Sequence, residues 1–228
     1  MYPQWVLRNQ PAPASLGGGE TDTQQPSMDI AAQATMSIAA LSPSYAGWDE
    51  LKIAVKNCTL CELRAGCKQT VFGVGDEKAD WLFVGEWPGA EEDELGEPFV
   101  GQAGKLLDNM LAAIKLKRGN NVYIANVVKC RPPENRTPKA DEIAQCLPYL
   151  ERQIAHLQPK LIVALGKTAA TALLGKEATI ATLRSKAHSY AGIPVIVTYH
   201  PAYLLRSPSE KAKAWQDLLL AVRTATES

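Results

Sequence analysis

The chain has 228 residues, with 24 lysines and arginines against 24 aspartates and glutamates, so its formal net charge is zero. This balance excludes a broadly polycationic nucleic-acid coat, but a local basic cleft remains compatible with it, because steering depends on where the charges lie. No apolar run approaches the roughly 20 residues that a membrane span needs, and no basic-then-apolar start predicts a signal peptide. We therefore expect a cytoplasmic protein with one domain and a tail, and no membrane partner.

The first part of the chain, residues 1–46, differs in composition from the rest. It is rich in proline, glutamine, serine, threonine, glycine and alanine, and it holds only four charged residues. This composition predicts a flexible N-terminal tail and linker. Its first few residues, 2–8, are aromatic and apolar, which leaves two interpretations open. They form either a short partner-binding peptide or a strand or turn that rests on the domain.

The remainder, residues 47–228, has the pattern of a globular domain. Short β-branched or apolar runs predict strands at residues 80–85, 122–128, 160–166 and 193–199. Helix-like stretches are predicted at residues 103–115, 139–156, 167–174 and 209–224. Because strands alternate with helices, we predict an α/β fold with a parallel sheet that helices cover on both faces.

Polar residues follow the predicted strands at the points where a ligand would bind. In parallel α/β sheets, ligands bind beyond the carboxyl ends of the strands. Gly85 and Glu86 stand at the end of the first predicted strand, Asn126 near the end of the second, and His200 directly after the last. We therefore expect these residues to share one site.

Four of the five cysteines have a metal-binding pattern. Cys58 and Cys61 form a C-x2-C pair, and Cys130 and Cys146 lie far downstream, separated by fifteen residues. Four thiolates suit either a structural zinc ion or an iron–sulfur cluster, and the spacing alone does not choose between them. Buried free thiols are the alternative, since cysteine packs as a small hydrophobe. The fifth, Cys67, follows a loop-like stretch, and we interpret it as a non-ligand.

The segment after the first predicted strand combines glycines, carboxylates and an aromatic ring. Glycine allows tight turns and close approach of a ligand, and Glu86 and Glu92 are candidates to hold or polarise a water. Phe99 stands between a proline and a Gly-x-x-Gly turn, where its ring offers a flat face to a planar ligand. Alternatively, Phe99 is a core residue and the acidic run is a solvated loop.

The segment around Asn126 pairs an amide with basic residues. An asparagine side chain both donates and accepts, which suits the edge of a nucleobase. Positive charge suitable for phosphates follows it in the sequence, on Lys129, Arg131, Arg136 and Lys139. A buried structural asparagine is the alternative interpretation.

The segment after the last predicted strand presents an imidazole. His200 precedes a proline, which restricts its backbone, and its ring is a candidate to contact a ligand oxygen. Apolar wedges and a cation follow it, in Tyr203, Leu204, Leu205 and Arg206. A structural histidine is the alternative.

Taken together, these ordered blocks resemble the family 4 uracil-DNA glycosylases, over roughly residues 57–223. The resemblance rests on the cysteine spacing, on Gly-Glu-x-Pro-Gly with its acidic follow-on, on Pro-Phe-Val-Gly-x-Ala-Gly, on Asn-Val-Val-Lys-Cys-Arg-Pro-Pro and on His-Pro. It implies a three-layer αβα fold around a central four-stranded parallel sheet. It also implies hydrolysis of the bond between uracil and deoxyribose in DNA, which leaves an abasic site. A [4Fe–4S] cluster is implied as cofactor, ligated by Cys58, Cys61, Cys130 and Cys146.

The resemblance further implies a role for each site residue. The catalytic residues would be Glu86, Glu92 and His200. The uracil-binding residues would be Gly85, Trp87, Phe99 and Asn126. The DNA-binding residues would be Arg131, Arg136, Leu205 and Arg206.

One residue departs from the family pattern. Trp87 stands where the family commonly has a small residue, and a bulky indole there would narrow the pocket, change how water is held, or point outward. A non-catalytic iron–sulfur DNA-binding module of the same fold is therefore the alternative function. For partners we expect uracil-containing DNA, a monomeric state, and a replication or repair protein that binds the N-terminal tail.

Overall fold

The computed structural model describes residues 47–227, and the predicted tail at residues 1–46 lies outside this range. Strands and helices alternate along most of it. The strands are β1 (Val74–Gly75), β2 (Trp81–Gly85), β3 (Val122–Asn126), β4 (Leu161–Leu165), β5 (Ala187–Tyr190) and β6 (Ile193–Thr198). The helices are α1 (Trp48–Lys56), α2 (Leu63–Gly66), α3 (Ala90–Leu95), α4 (Gln102–Ala113), α5 (Ala140–Leu157), α6 (Lys167–Leu174), α7 (Ile180–Leu183), α8 (Pro201–Arg206) and α9 (Lys211–Glu227).

The strands of the described range form one mixed sheet in the order β1-β3-β2-β4-β6-β5. Its four inner strands, β3, β2, β4 and β6, run parallel, in agreement with the predicted parallel sheet. Two antiparallel edge strands, β1 and β5, extend it to six. The prediction of four strands missed these two because β1 has only two residues and β5 is partly exposed along its whole length rather than apolar.

Helices cover both faces of the sheet, so the predicted three-layer αβα arrangement is confirmed. Side chains of β2 alternate between the two faces, as the twofold repeat of a strand requires. Leu82 and Val84 pack in a core with α1, α5 and α6. Trp81 and Phe83 pack in a second core with α4, α8 and α9. No helix within residues 47–227 is long and apolar enough to cross a membrane.

Several short helices were not foreseen. Helices α3 and α8 have six residues each, which is too short for a 3.6-residue repeat to be recognised. Helix α8 begins at Pro201 directly after His200, where proline is well suited to the first helical position. The segments singled out as ligand-binding motifs therefore carry the starts of helices.

The parallel strands bring their carboxyl ends to one edge of the sheet. Gly85 of β2 is paired with Asn126 of β3, and Leu165 of β4 is paired with Thr198 of β6. Residues that follow these strand ends, Glu86 and His200 among them, therefore emerge next to one another.

A buried carboxylate joins the last helix to the strand that leads into His200. Asp217 of α9 is 1% exposed and accepts from the Thr198 hydroxyl at 2.9 Å and from Arg184 Nε at 3.1 Å. The Ser185 amide donates to its other oxygen at 3.3 Å. Burial raises the pKa of Asp217, and these donors act in the opposite direction.

We expect Asp217→Ala to lower the free energy of unfolding by roughly 3 kcal/mol, because removal of one partner of a buried ion pair leaves the other charge uncompensated. Urea unfolding followed by circular dichroism measures this. Asp49→Ala is the control, since the Asp49 side chain is 92% exposed and its ion pair contributes at most about 1 kcal/mol. Equal stabilities of the two variants would contradict the role given to Asp217.

Candidate active site

A cleft of about 680 Å³ opens at the carboxyl edge of the parallel strands. Segments that follow β2, β3, β4 and β6 all contribute to its walls. The lining side chains include acids, amides, an imidazole, aromatic rings and two cations. Among them are Glu86, Trp87, Glu92, Phe99, Asn126, Asn135, Thr137, Lys167, Tyr199, His200, Tyr203 and Arg206.

The floor of the cleft is built by a close approach over Gly85. A methyl group at Gly85 would lie 2.3 Å from Asn126 Oδ1 and 2.6 Å from the Phe99 ring. No real side chain tolerates such distances, so glycine is required where the amide and the ring meet. Asn126 is 2% exposed, and its Oδ1 has no hydrogen-bond partner within the described residues. An unpaired buried acceptor is costly, so this oxygen is available to a donor that enters the cleft.

His200 faces the same space as a neutral donor. Its Nδ1 accepts a hydrogen bond from the Ala202 amide at 3.2 Å, so the proton of the neutral ring lies on Nε2. Burial lowers the pKa of His200 to about 4, and the charge of Arg206 adds to this effect. The imidazole stacks on the Phe99 ring, with 5.4 Å between centroids. It is therefore able to donate from Nε2 at neutral pH without carrying charge.

Glu86 also lines the cleft, at the start of α6. Its Oε1 accepts from the Thr168 amide at 3.0 Å, and Gly166, at φ +96°, leaves room for the carboxylate. Burial raises the pKa of Glu86, while the Thr168 and Lys167 donors and the charge of Arg206 oppose the increase. The carboxylate can accept a further hydrogen bond from a water, or stabilise a nearby cation.

Glu92 has a different set of contacts. Its Oε2 accepts from the Gly89 amide at 3.0 Å, and its Oε1 accepts from the amides of Val100 at 2.9 Å and Gly101 at 3.1 Å. Both oxygens are thus engaged with the backbone. These contacts give Glu92 a structural task, which is to hold the loop that carries Phe99, and its catalytic role stays a prediction.

Four cysteines line a second, small cavity. Cys58 and Cys61 follow α1, Cys130 follows β3, and Cys146 lies in α5. Burial raises the pKa of Cys146 to about 11 and raises that of Cys130 further, so a metal centre is needed to keep these sulfurs as thiolates. The four cysteines line one cavity, and four thiolates suit a metal centre.

The sequence matches the family model of the uracil DNA glycosylase superfamily over residues 72–219. It is 45% identical to the type-4 uracil-DNA glycosylase of Pyrobaculum aerophilum over 73% of this chain and 88% of that protein. It is 44% identical to the type-4 enzyme of Archaeoglobus fulgidus, over 70% of this chain and 84% of that protein. For the type-4 enzyme of Thermotoga maritima the identity is 45%, over 70% of this chain and 83% of that protein.

The chain belongs to the uracil DNA glycosylase superfamily. Seven of the eleven residues predicted for catalysis, uracil binding and DNA binding line the cleft. Its lining includes the predicted residues Glu86, Trp87, Glu92, Phe99, Asn126, His200 and Arg206. Gly85 lies beneath it, against Asn126.

Trp87, the departure from the superfamily's type-4 pattern, forms part of the wall. Its side chain is half-buried and packs against the core on the α5 side of the sheet. The cleft stays open beside it, with Asn126, Phe99 and His200 all lining the space. The indole therefore shapes the cleft without filling it.

The predicted DNA-binding residues are spread around the cleft. Arg206 lines it, and Leu205, its neighbour on α8, is 43% exposed. Arg131 donates to Asn135 at 2.8 Å. Arg136 makes two bonds to Glu142, of 2.8 and 2.6 Å, so its guanidinium already has a carboxylate partner.

Lys129 was expected among the phosphate-binding residues, and this expectation is wrong. The side chain is 2% exposed, and Nζ donates to the Asn126 carbonyl at 2.7 Å and to Gln153 Oε1 at 2.6 Å. Its backbone amide donates to Cys146 Sγ at 3.2 Å. The two valines before Lys129 continue the buried run of β3, and this was the signal for its burial.

The sequence did not predict Tyr199 or Thr168 as part of the site. Tyr199 lines the cleft and stacks on Tyr203, the residue predicted as an apolar wedge, with centroids 5.1 Å apart. Thr168 donates its amide to Glu86. A backbone donor leaves no pattern in a sequence, whereas Tyr199 directly precedes His200, and that position was the available signal.

We expect the His200 ring to titrate with a midpoint of about 4, since burial and Arg206 disfavour its charged form. The unfolded chain takes up this proton near pH 6.5. The contribution of neutral His200 to stability is therefore present above about pH 6.5 and is lost as the pH falls toward the folded-state value. NMR titration of the imidazole carbon signals measures the midpoint, and a midpoint at 6.5 or above would contradict this environment.

Proposed function

We propose that this protein removes uracil from DNA by hydrolysis of the N-glycosidic bond, and so leaves an abasic site. Relatives that are 42–45% identical carry the name type-4 uracil-DNA glycosylase. The observation that carries the proposal is the buried, unpartnered Oδ1 of Asn126 at the floor of the cleft. No feature of the described residues favours a non-catalytic role.

Asn126 would recognise the base. Its Oδ1 would accept from N3–H of uracil, and its Nδ2 would donate to O4. Cytosine presents an amino group and an unprotonated ring nitrogen at those two positions, which is the opposite order of donor and acceptor. A site built for one order leaves buried polar groups unpaired with the other, which allows discrimination of several kcal/mol. Phe99 would pack against the plane of the base.

His200 would stabilise the leaving group. When the glycosidic bond breaks, the sugar becomes oxocarbenium-like and the uracil gains negative charge. The Nε2–H of His200 would donate to uracil O2, where part of that charge develops. Loss of one such fixed donor in another enzyme costs about 3–4 kcal/mol.

Glu86 would act on the other side of the bond. Its carboxylate would orient the attacking water or stabilise the positive sugar, while the Thr168 amide fixes its position. Glu92 is not part of this step, since both its oxygens already accept backbone amides. The proposal therefore places one carboxylate, rather than two, at the reacting atoms.

The rim would hold the DNA. A uracil inside a duplex must be turned out of the stack before the cleft can receive it. Leu205, exposed beside Arg206 on α8, would fill the gap that the base leaves. Arg206 and Arg131 would contact phosphates, and Arg136 would contribute less because Glu142 holds it.

The four cysteines would bind a [4Fe–4S] cluster through Cys58, Cys61, Cys130 and Cys146. When bound, the cluster supplies iron–thiolate bonds that tie the segment after α1 to α5 and to the loop after β3. Cys67 is absent from the lining of that cavity and is not proposed as a ligand. The monomeric state, the cytoplasmic location and the partner of the N-terminal tail stay predictions.

We expect the purified protein to release uracil from a single-uracil oligonucleotide. Asn126→Ala and His200→Ala should each lower the single-turnover rate by about 100-fold or more, which is the loss seen when one fixed hydrogen-bond donor is removed from an active site. Chromatography of the released base measures the rate. Asn109→Ala, on the exposed surface of α4, is the matched control and is expected to keep the wild-type rate.

Two results would count against the assignment. A wild-type protein that binds uracil-containing DNA but releases no base would exclude the enzymatic function. A full rate in both Asn126→Ala and His200→Ala would leave the function in place but exclude the residue roles.

We expect four irons and four sulfides per chain in protein purified without oxygen, since four cysteines ligate a [4Fe–4S] cluster. Cys130→Ser and Cys146→Ser should lose the iron and its brown colour, while Cys67→Ser should keep both. Metal analysis and visible absorption measure this. If Cys67→Ser loses as much iron as Cys146→Ser, the proposed ligands are wrong. If the protein contains zinc in place of iron, the proposed cluster is wrong.

A further inference from the structure

Arg118 reaches from the connection between α4 and β3 to the loop that carries Phe99. Its Nη1 donates to the Pro98 carbonyl and its Nη2 to the Phe99 carbonyl, both at 2.8 Å. Its Nε donates to Asp108 at 3.0 Å. The side chain is 22% exposed. One guanidinium thus binds two successive carbonyl oxygens next to the cleft.

The backbone that Arg118 binds is in an unfavourable conformation. Phe99 has φ +56°, in the left-handed region that residues with a side chain rarely adopt. Such conformations persist only where the surroundings enforce them, and they concentrate at functional sites. Gly104 makes room for this arrangement, because a methyl group there would lie 1.8 Å from the Phe99 carbonyl oxygen.

Opposite charges hold the two sides of this turn. The carbonyls of Pro98 and Phe99 point to the Arg118 cation. The amides of the next two residues, Val100 and Gly101, point to the Glu92 carboxylate. A peptide plane that rotated would turn a carbonyl toward Glu92 and an amide toward Arg118, so both contacts resist rotation.

The ring of Phe99 depends on this backbone for its position. It stacks on His200 and lies over Gly85, beside the Asn126 amide. A change in the Phe99 backbone would therefore move the ring against the two side chains that would bind uracil. The third hydrogen bond of Arg118 goes to Asp108, whose side chain is 49% exposed. Asp108 does not line the cleft.

We propose that Arg118 is a positioning residue for base excision, which holds Phe99 in the left-handed conformation that shapes the uracil pocket. This inference rests on the proposed function, since it assigns Arg118 a task in the same reaction. Arg118 touches neither the base nor the sugar and acts only through Phe99.

The test compares Arg118→Met and Arg118→Lys with the wild type. Arg118→Met should lower the single-turnover rate of uracil release roughly 100-fold, the loss expected when a reacting group is displaced by about 1 Å. The Kd for uracil-containing DNA should change less than threefold, because the DNA-binding residues lie elsewhere. Arg118→Lys should also lose most of the rate, since an ammonium lacks the planar pair of donors. It serves as the test if Arg118→Met does not fold.

The matched control is Asp108→Asn, which keeps an acceptor for Nε and leaves the two carbonyl contacts intact. It should keep the wild-type rate. Hydrogen exchange adds a readout that does not depend on activity. In both Arg118 variants, exchange should increase at the amides of residues 99–101 and stay unchanged in the strands.

A wild-type rate in folded Arg118→Met and Arg118→Lys would overturn the proposal. So would an increase in exchange that spreads over the whole domain, because it would show a general loss of stability. If the wild type itself releases no uracil, the proposed function fails. In that event, unchanged exchange at residues 99–101 in the variants would show that Arg118 does not hold the Phe99 backbone. Increased exchange there would show that Arg118 holds this backbone, although not for uracil release.

Discussion

Gly85 lies where the Asn126 amide and the Phe99 ring come together, and a methyl group there would stand 2.3 Å from the amide oxygen. This close approach is possible because β2 and β3 are paired in parallel register with Gly85 opposite Asn126. The cleft is therefore a consequence of the sheet: its floor is the last residue pair of two buried strands. Rigid strands place groups more accurately than loops do, which suits the recognition of uracil that is proposed for Asn126.

The walls of the cleft, in contrast, are made by helix starts and by loops, and charged side chains hold the backbone there. Glu92 binds backbone amides, Arg118 binds backbone carbonyls, and Lys129 binds the Asn126 carbonyl from beneath. Each of these charged side chains binds the backbone of a residue that lines the cleft or lies next to one that does. Charged groups form the stronger hydrogen bonds, so they can maintain a conformation such as that of Phe99, which an isolated loop would leave.

The strand ends of the cleft could be predicted from the sequence, whereas the contacts that hold its loops could not. The sequence was sufficient to predict the inner strands and the residues at their ends, because buried strands and polar strand ends both leave a local pattern. It could not show that the Glu92 carboxylate binds the backbone of the loop that carries Phe99, because backbone partners leave no local pattern. Lys129 was misplaced for a similar reason, since lysine is rarely fully buried. Edge strand β5 was missed because pairing, rather than composition, makes it a strand.

The cleft combines neutral donors with a carboxylate, although the chain as a whole has no net charge. In the proposed reaction the neutral His200 and the amide of Asn126 would bind the base, and Glu86, which the Thr168 amide binds at the start of α6, would act at the sugar. In the proposed reaction the base becomes negative and the sugar positive, so each fragment would meet the group suited to its charge. Burial keeps His200 uncharged, and a neutral donor favours the developing anion over the neutral substrate without attracting other anions to the site. Fixed dipoles of this kind need no rearrangement as the charge develops. The rigid strands and the tightly held loops therefore contribute in the same way, because both keep these dipoles in place.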